Sequence, residues 1–444
     1  MPSPLLPVSP AARERARGLL EFIDASPSPW HVVASAVAML ERAGYRPLDE
    51  TASWRLAPGD RCYVIRDGST LAAFRIGQAS PVEAGVRLIG AHTDSPGLRV
   101  KPRAGEARGD WLRLGVEIYG GPILATFTDR DLGLAGRVAL RAPTAPLGVD
   151  SRLVRFDGPL LRIPNLAIHL NRKVNEDGLK LDRQAALPPI LGAVEEGLPA
   201  AEHLTRLLAA QLAVEPADIL GFDLNVYDTQ PGAFFGPQQE FIADSQLDNL
   251  GSSHAALAAL LDTDADPPPA TSLCLLFDHE EVGSTSAKGA DGSFLDDVLE
   301  RIALGGGLDR ADYRRMLARS VLVSADMAHA FHPGHAGAYD DQHRVHLNGG
   351  PVIKTNASQR YTTDGLSAGV FQLACERAGV PWQAYVQRTD MACGSTIGPL
   401  AASRLGLRSV DVGNPMWAMH SARESAGAAD HDAMCRALME FFRA

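Results

Sequence analysis

Cysteine is scarce in this 444-residue chain. Cys62, Cys274, Cys375, Cys393 and Cys435 are odd in number, scattered, and form no CxxC pair. A disulfide framework or a thiolate-bound structural zinc therefore lacks its raw material. The reading is a reduced, cytoplasmic protein whose thiols mostly pack. Long hydrophobic runs are missing too: none approaches the roughly 18 residues of a membrane span. The opening, MPSPLLPVSPAARERARGLLEF, is too proline-rich and too charged to read as a signal peptide. Positive charge is in deficit, with 42 Lys and Arg against 53 Asp and Glu, a formal charge of −11. That sign disfavours nucleic acid and gives no attraction to anionic membranes. Several catalytic signatures are also absent: no GxSxG elbow, no GxxxxGK loop, and no GxGxxG after a strand. His279-Glu280 begins an HExxH, but Gly283 stands where the second histidine belongs.

What remains is ordinary globular composition, 45% hydrophobic and 21% charged, long enough for two domains or one large one. Residues 11–43 carry two helical patterns broken by SPSPW, with Ser28 placed to cap the second. Strand-like runs follow: CYVI, TLAAFRIG and VRLIGAHTD. From about Gly97 to Gln230 short apolar runs with frequent Gly and Pro read as a β insertion with one or two helices near its end. Alternation of strand and helix then returns. AALAALL is helical, SLCLLF and SVLVSA read as buried parallel strands, WQAYVQ as a strand, and DGLSAGVFQLACERAG and HDAMCRALMEFFRA as helices. TDADPPPA, residues 263–270, reads as a turn-rich link. The expected fold is α/β: a split metallopeptidase domain over 1–96 and 233–444, with a mixed, mainly parallel sheet, interrupted by a β-rich domain at 97–232.

Five stretches then share one feature. His92 and Asp94 follow one strand, Asp248 opens a helix, Glu280 and Glu281 follow a second strand, Asp326 a third, and His420 lies beyond a fourth. Ligands of open α/β sheets gather at the carboxyl ends of strands, so these residues are placed to meet. Taken singly, each has a plainer reading as a cap, a loop charge or a structural histidine; the joint pattern carries the inference. Two imidazoles and three carboxylates form a mixed nitrogen and oxygen set suited to zinc, cobalt or manganese. One bridging carboxylate lets five ligands hold two metals. Asp94 shares a strand face with His92 and is placed to orient its ring. Glu281 is the ligand and Glu280 the proton carrier. Two dications against three carboxylate ligands leave one positive charge, which Glu280 neutralises. Without metal, four carboxylates crowd one pocket. The histidine-rich stretch HAFHPGHAGAYDDQHRVH reads as a loop near the site, with a second metal site at His332, His335, His343 and His346 as the alternative.

Together the stretches FIDASPSPWHVV, GAHTDSPGLRVKP, PILATFTDRDLGLAGRV, LRIPNLAIHLNR, SQLDNL, FDHEEVGS, SADMAHAFHP, GPVIKTNASQRY, GSTIGP and MHSARE resemble aspartyl aminopeptidases, dizinc metallopeptidases related to vacuolar aminopeptidase I. The resemblance runs from about Phe22 to the C-terminus. It implies that His92 and Asp326 hold one zinc, Glu281 and His420 the other, and that Asp248 bridges. Glu280 is then the general base and Asp94 the residue that orients His92. It also implies that the inserted domain builds dimers and a tetrahedral dodecamer. In that assembly His169 reaches a neighbour's active site, and His329 and Lys354 contact substrate. The implied substrates are peptides with a free N-terminal Asp or Glu. Aminopeptidases of neutral or broad preference and deacylases on the same scaffold compete with that reading. A non-enzymatic self-assembling scaffold is a third reading.

Overall fold

The computed structural model describes residues 5–263 and 267–444. The centre of the turn-rich link read at 263–270, and the first four residues, lie outside them. Among the described residues there are three sheets, of nine, six and five strands.

The nine-stranded sheet is the frame of the site. At its centre Thr271–Phe277, Val86–His92, Val321–Ala325 and Arg408–Gly413 run parallel to one another. Antiparallel pairs flank them, including Thr70–Arg75 beside Thr271–Phe277 and Val352–Thr355 beside Arg408–Gly413. The sheet is thus mixed and mainly parallel. Side chains alternate across it as a period of two requires. Ile89, Ala91, Cys274, Leu276, Val323 and Val412 face one apolar core. Leu88, Leu273, Leu275, Phe277 and Leu322 face another. Both faces are covered, which explains why these strands read as unbroken apolar runs.

The first core is packed by helices Pro10–Asp24, Pro29–Arg42, Leu247–Asp262, Gly365–Ala378 and Ala428–Phe442, and the second by Phe294–Gly305, Arg310–Arg319 and Ile397–Leu405. Ser28 does occupy the N-cap position of Pro29–Arg42, but it makes no side-chain cap. Its hydroxyl lies 2.7 Å from His31 Nδ1 instead. The five cysteines are free, four of them buried.

The six-stranded sheet is wholly antiparallel and drawn from residues 97–228, with Gly97–Arg108 and Trp111–Tyr119 as neighbours. It has its own apolar core, closed by the helix Ala200–Leu212. The five-stranded sheet joins Ala233–Phe235 and Phe241–Asp244 to Glu424–Gly427, Pro415–Trp417 and Ala328–His329. No helix among the described residues is long and apolar enough to cross a membrane.

Candidate metal centre and active site

Parallel strands put their carboxyl ends on one edge, and register decides which residues meet there. Phe277 pairs with His92, and Ala325 with Val412. The residues just past these ends are Glu280 and Glu281, Asp326, and, after the short Pro415–Trp417 strand, His420. Asp248 arrives from the opposite side, at the start of Leu247–Asp262, with a cis peptide to Asn249.

Asp248 sits between two halves. Its Oδ1 lies 3.5 Å from His92 Nε2, which is 3.6 Å from Asp326 Oδ1. Its Oδ2 lies 3.4 Å from His420 Nε2, which is 3.5 Å from Glu281 Oε2. These separations are long for hydrogen bonds. They match the roughly 3.3–3.6 Å between two ligand atoms on one tetrahedral zinc. Asp248 Oδ1 is buried with no hydrogen-bond partner, a state that costs stability unless something else satisfies it. Ligand atoms of His92, Asp248 and Glu281 lie within 4.8 Å of one another. The donor set and its spacing therefore fit divalent metal.

Both imidazoles are oriented from behind. His92 Nδ1 donates to the Asp94 carbonyl oxygen at 3.0 Å, and His420 Nδ1 to the Gly121 carbonyl oxygen at 3.1 Å. A carbonyl only accepts, so each Nδ1 carries the proton and each Nε2 presents its lone pair to the centre. Asp94 thus meets His92 through its main chain. Its carboxylate lies 3.4 Å from His92 Nδ1 and is occupied elsewhere. Oδ1 accepts from Glu280 N and Oδ2 from Glu281 N, both at 3.1 Å.

The sequence reading missed Glu424. It is buried, and its two carboxylate oxygens accept from Asp248 N at 2.9 Å and His420 N at 2.6 Å. One side chain therefore ties two candidate ligands together. Its only sequence signal was its place four residues after His420 in MHSARE.

Electrostatics mark the centre as built for cations. Burial, with Asp326, Asp94 and Asp248 against the opposing His92, pushes the Glu280 carboxyl up to about 8. Burial and Asp248 push Glu281 well above the carboxylate range. Burial opposes the charge of Asp326 as well, but Lys354 and His92 hold that carboxyl low. Positive charge in the pocket relieves the first two shifts.

Lys354 is nearly buried, at 2% exposure. Its ammonium donates to Met327 O at 3.1 Å, sits 3.4 Å from Asp326 Oδ2, and lies over the Tyr361 ring. The His329 ring meets Tyr385 edge-on at 6.0 Å. His169 is not brought to the centre: it lies in an exposed segment, residues 164–170. The histidine-rich loop does not gather either. His332 and His335 rings are 4.8 Å apart, His343 Nδ1 is 2.6 Å from Asp340, and His346 packs on Phe331. Among the described residues, only His92, Asp248 and Glu281 meet as a three-residue metal group.

The comparison with known proteins agrees with this geometry. Residues 22–442 match the family described as aminopeptidase I zinc metalloprotease (M18). The chain belongs to the M18 aminopeptidases. A probable M18 family aminopeptidase 2 of Ectopseudomonas mendocina is 48% identical over 433 residues, covering 97% of this chain and 98% of the relative. One from Pseudomonas paraeruginosa is 49% identical over 435 residues, covering 97% and 98%. A chain of an Ape4 and Nbr1 complex superposes with a TM-score of 0.93 at 37% identity, covering 98% of this chain and 86% of that one. An S. cerevisiae mApe1 dodecamer gives 0.85 at 27%, covering 98% and 97%. The protein is thus an M18 metallo-aminopeptidase, a hydrolase acting on peptides, with the M18 fold.

Proposed function

We propose that this M18 enzyme is a dizinc aminopeptidase that removes N-terminal residues, preferentially Asp or Glu. The observation that carries the two-metal reading is Asp248, whose two oxygens face two separate pairs, His92 with Asp326 and His420 with Glu281. Those five residues would hold the ions, most simply zinc; cobalt or manganese suit the same donors. When bound, such ions supply Lewis acidity to a peptide carbonyl and acidify water. The chain's own groups do the rest. Glu280 takes a proton from the attacking water and returns it to the leaving amine. Asp94 fixes the Glu280 and Glu281 main chain. The carbonyls of Asp94 and Gly121 keep both imidazoles in the ligating tautomer.

Lys354 and His329 are the proposed substrate contacts. Once Asp326 shares its charge with a cation, the Lys354 ammonium has positive charge to spare for an acidic N-terminal side chain. Because Lys354 also partners Asp326, loss of activity in Lys354→Ala would not isolate substrate preference. The clean test is the unaltered enzyme, with and without chelator, on matched peptides that begin with Asp, Glu, Leu or Lys. Removal of Asp and Glu alone, abolished by chelator and restored by metal, is the expected outcome. Cleavage of Leu or Lys peptides overturns the acidic preference and leaves the hydrolase. No cleavage with metal present overturns the enzyme reading.

The insert at 97–232 is the proposed assembly domain, building dimers and then a tetrahedral dodecamer. Leu166, Ile168 and Leu170 are 60%, 48% and 74% exposed around His169, and apolar exposure of that kind marks contact surfaces. A neighbour's His169 would then reach the active centre and donate to the developing oxyanion. Five free thiols suit a reducing compartment, the cytoplasm.

A further inference from the structure

The corner that ends the Trp111–Tyr119 strand touches the candidate metal centre at three points. Tyr119 donates its hydroxyl proton to Asp94 Oδ2 at 2.7 Å. Gly120 has φ +66, and a Cβ there would meet Glu281 Cβ at 3.1 Å and the Glu281 carbonyl at 3.2 Å. Gly121 accepts from His420 Nδ1, and Ile123 N donates to the His420 carbonyl at 2.8 Å. Tyr119 ends a strand of the antiparallel six-stranded sheet and the other groups follow it directly, whereas His92, Glu281 and Asp326 lie at strand ends of the nine-stranded sheet.

We propose that Tyr119 is a positioning residue for catalysis: its hydroxyl fixes the Asp94 carboxylate, which in turn fixes the backbone of the Glu280–Glu281 pair. The buried Asp94 carboxylate accepts three bonds, two from the main chain of Glu280 and Glu281 and one from Tyr119. Glu280 and Glu281 belong to a short turn with left-handed backbone on both sides, His279 at φ 64 and Gly283 at φ 95. Remove the hydroxyl and the carboxylate loses its one side-chain donor, so the turn carrying the base is held by two amide bonds alone.

The phenol is itself held. The Arg99 guanidinium stacks 3.6 Å from the Tyr119 ring centroid. Arg99 Nε and Nη2 are buried without hydrogen-bond partners, so its role there is stacking and charge. Arg99 lies in Gly97–Arg108, beside the Tyr119 strand. It lines a cavity of about 40 Å³ with Asp248, His420 and Glu424. The insert thereby contributes to the active centre of its own chain as well as to any assembly.

The inference rests on the reading of Glu280 as base. Its test is Tyr119→Phe, which keeps the ring and its stacking. At saturating metal, kcat on an N-terminal Asp peptide is expected to fall about 10–100-fold with KM within about threefold. Amide hydrogen exchange of peptides covering 278–285, measured on chelator-treated protein, is expected to speed up about tenfold. Oligomer size should stay unchanged. Arg99→Met should shift both readouts the same way by less, and the double variant should add little to Tyr119→Phe. Unchanged kcat, or unchanged exchange at 278–285, overturns the proposal. Glu280→Gln run alongside separates the two failures. An active Glu280→Gln sinks the reading of the base, whereas an inactive one beside a fully active Tyr119→Phe sinks the positioning role alone.

Discussion

The carboxyl edge of the nine-stranded sheet and the outer segment of the insert use opposite strategies. At the edge, His92, Asp94, Asp248 and Glu424 are buried and each is held by a named partner within the chain. In the insert, residues 164–186 include none that is buried, and Leu170 stands 74% exposed. The first region closes within one chain. The second leaves apolar side chains in water, the kind of surface that a contact covers. The chemistry of the first needs one chain, and the proposed assembly bears on the second.

The largest effect should come from the closed region. Glu280→Gln is expected to cut kcat by about 10²–10⁴, with metal content by elemental analysis unchanged, since the ligands remain. Retained turnover would move the base elsewhere and dissolve the comparison at its centre. The open region comes next. His169→Phe is expected to lower kcat by about 10²–10³, the cost of one oxyanion donor. Mixed assemblies of His169→Phe and Glu280→Gln protomers should recover activity, because each then supplies what the other lacks. No recovery in a verified mixed assembly would place His169 in its own chain's site or outside catalysis.

Stability should divide the same two regions. Phe371 is fully buried in the core beside the main sheet, so Phe371→Ala should cost about 3–5 kcal/mol in denaturant unfolding. Leu170→Ala should stay within about 0.5 kcal/mol for dissociated protomers. A large Leu170→Ala effect on dissociated protomers would mean the segment packs on its own chain.

The smallest effect is a pH dependence inside the closed region. His254 Nδ1 lies 2.8 Å from His431 Nε2, joining Leu247–Asp262 to Ala428–Phe442. Burial, with Arg15 adding to it, lowers His254 to about 4; burial and His254 lower His431 well below its usual range. The unfolded chain therefore binds protons near pH 6.5 that the folded one refuses. Stability is full above about 6.5 and declines as pH falls toward about 4. Melting temperatures should follow that course, and His254→Leu should flatten it. An unchanged slope in His254→Leu would remove the pair from the acid response.

Much of the catalytic region was legible because its signals are local. Apolar runs ending in His92, Phe277 and Ala325 announced parallel strands, and the residue types just beyond them announced metal chemistry. What escaped was set by contacts distant in sequence. Nothing around Glu424 shows that its two oxygens face Asp248 and His420, 176 and 4 residues away. Lys354 read as a substrate contact; only packing showed it buried against Asp326. Ser28 read as a cap, but its hydroxyl is engaged by His31.

Local sequence patterns were enough for the α/β alternation, the doubly covered sheet and the metal-binding residue types at its strand ends. Hydrophobic period and residue chemistry are properties of neighbours along the chain. Tertiary contacts alone make Asp248 face two pairs, bring the Asp94 carbonyl to His92 and its carboxylate to the main chain of Glu280 and Glu281, and bring the Tyr119 hydroxyl to that carboxylate from another sheet. Those choices depend on register between strands and on which buried donors meet which acceptors, and a linear pattern carries neither.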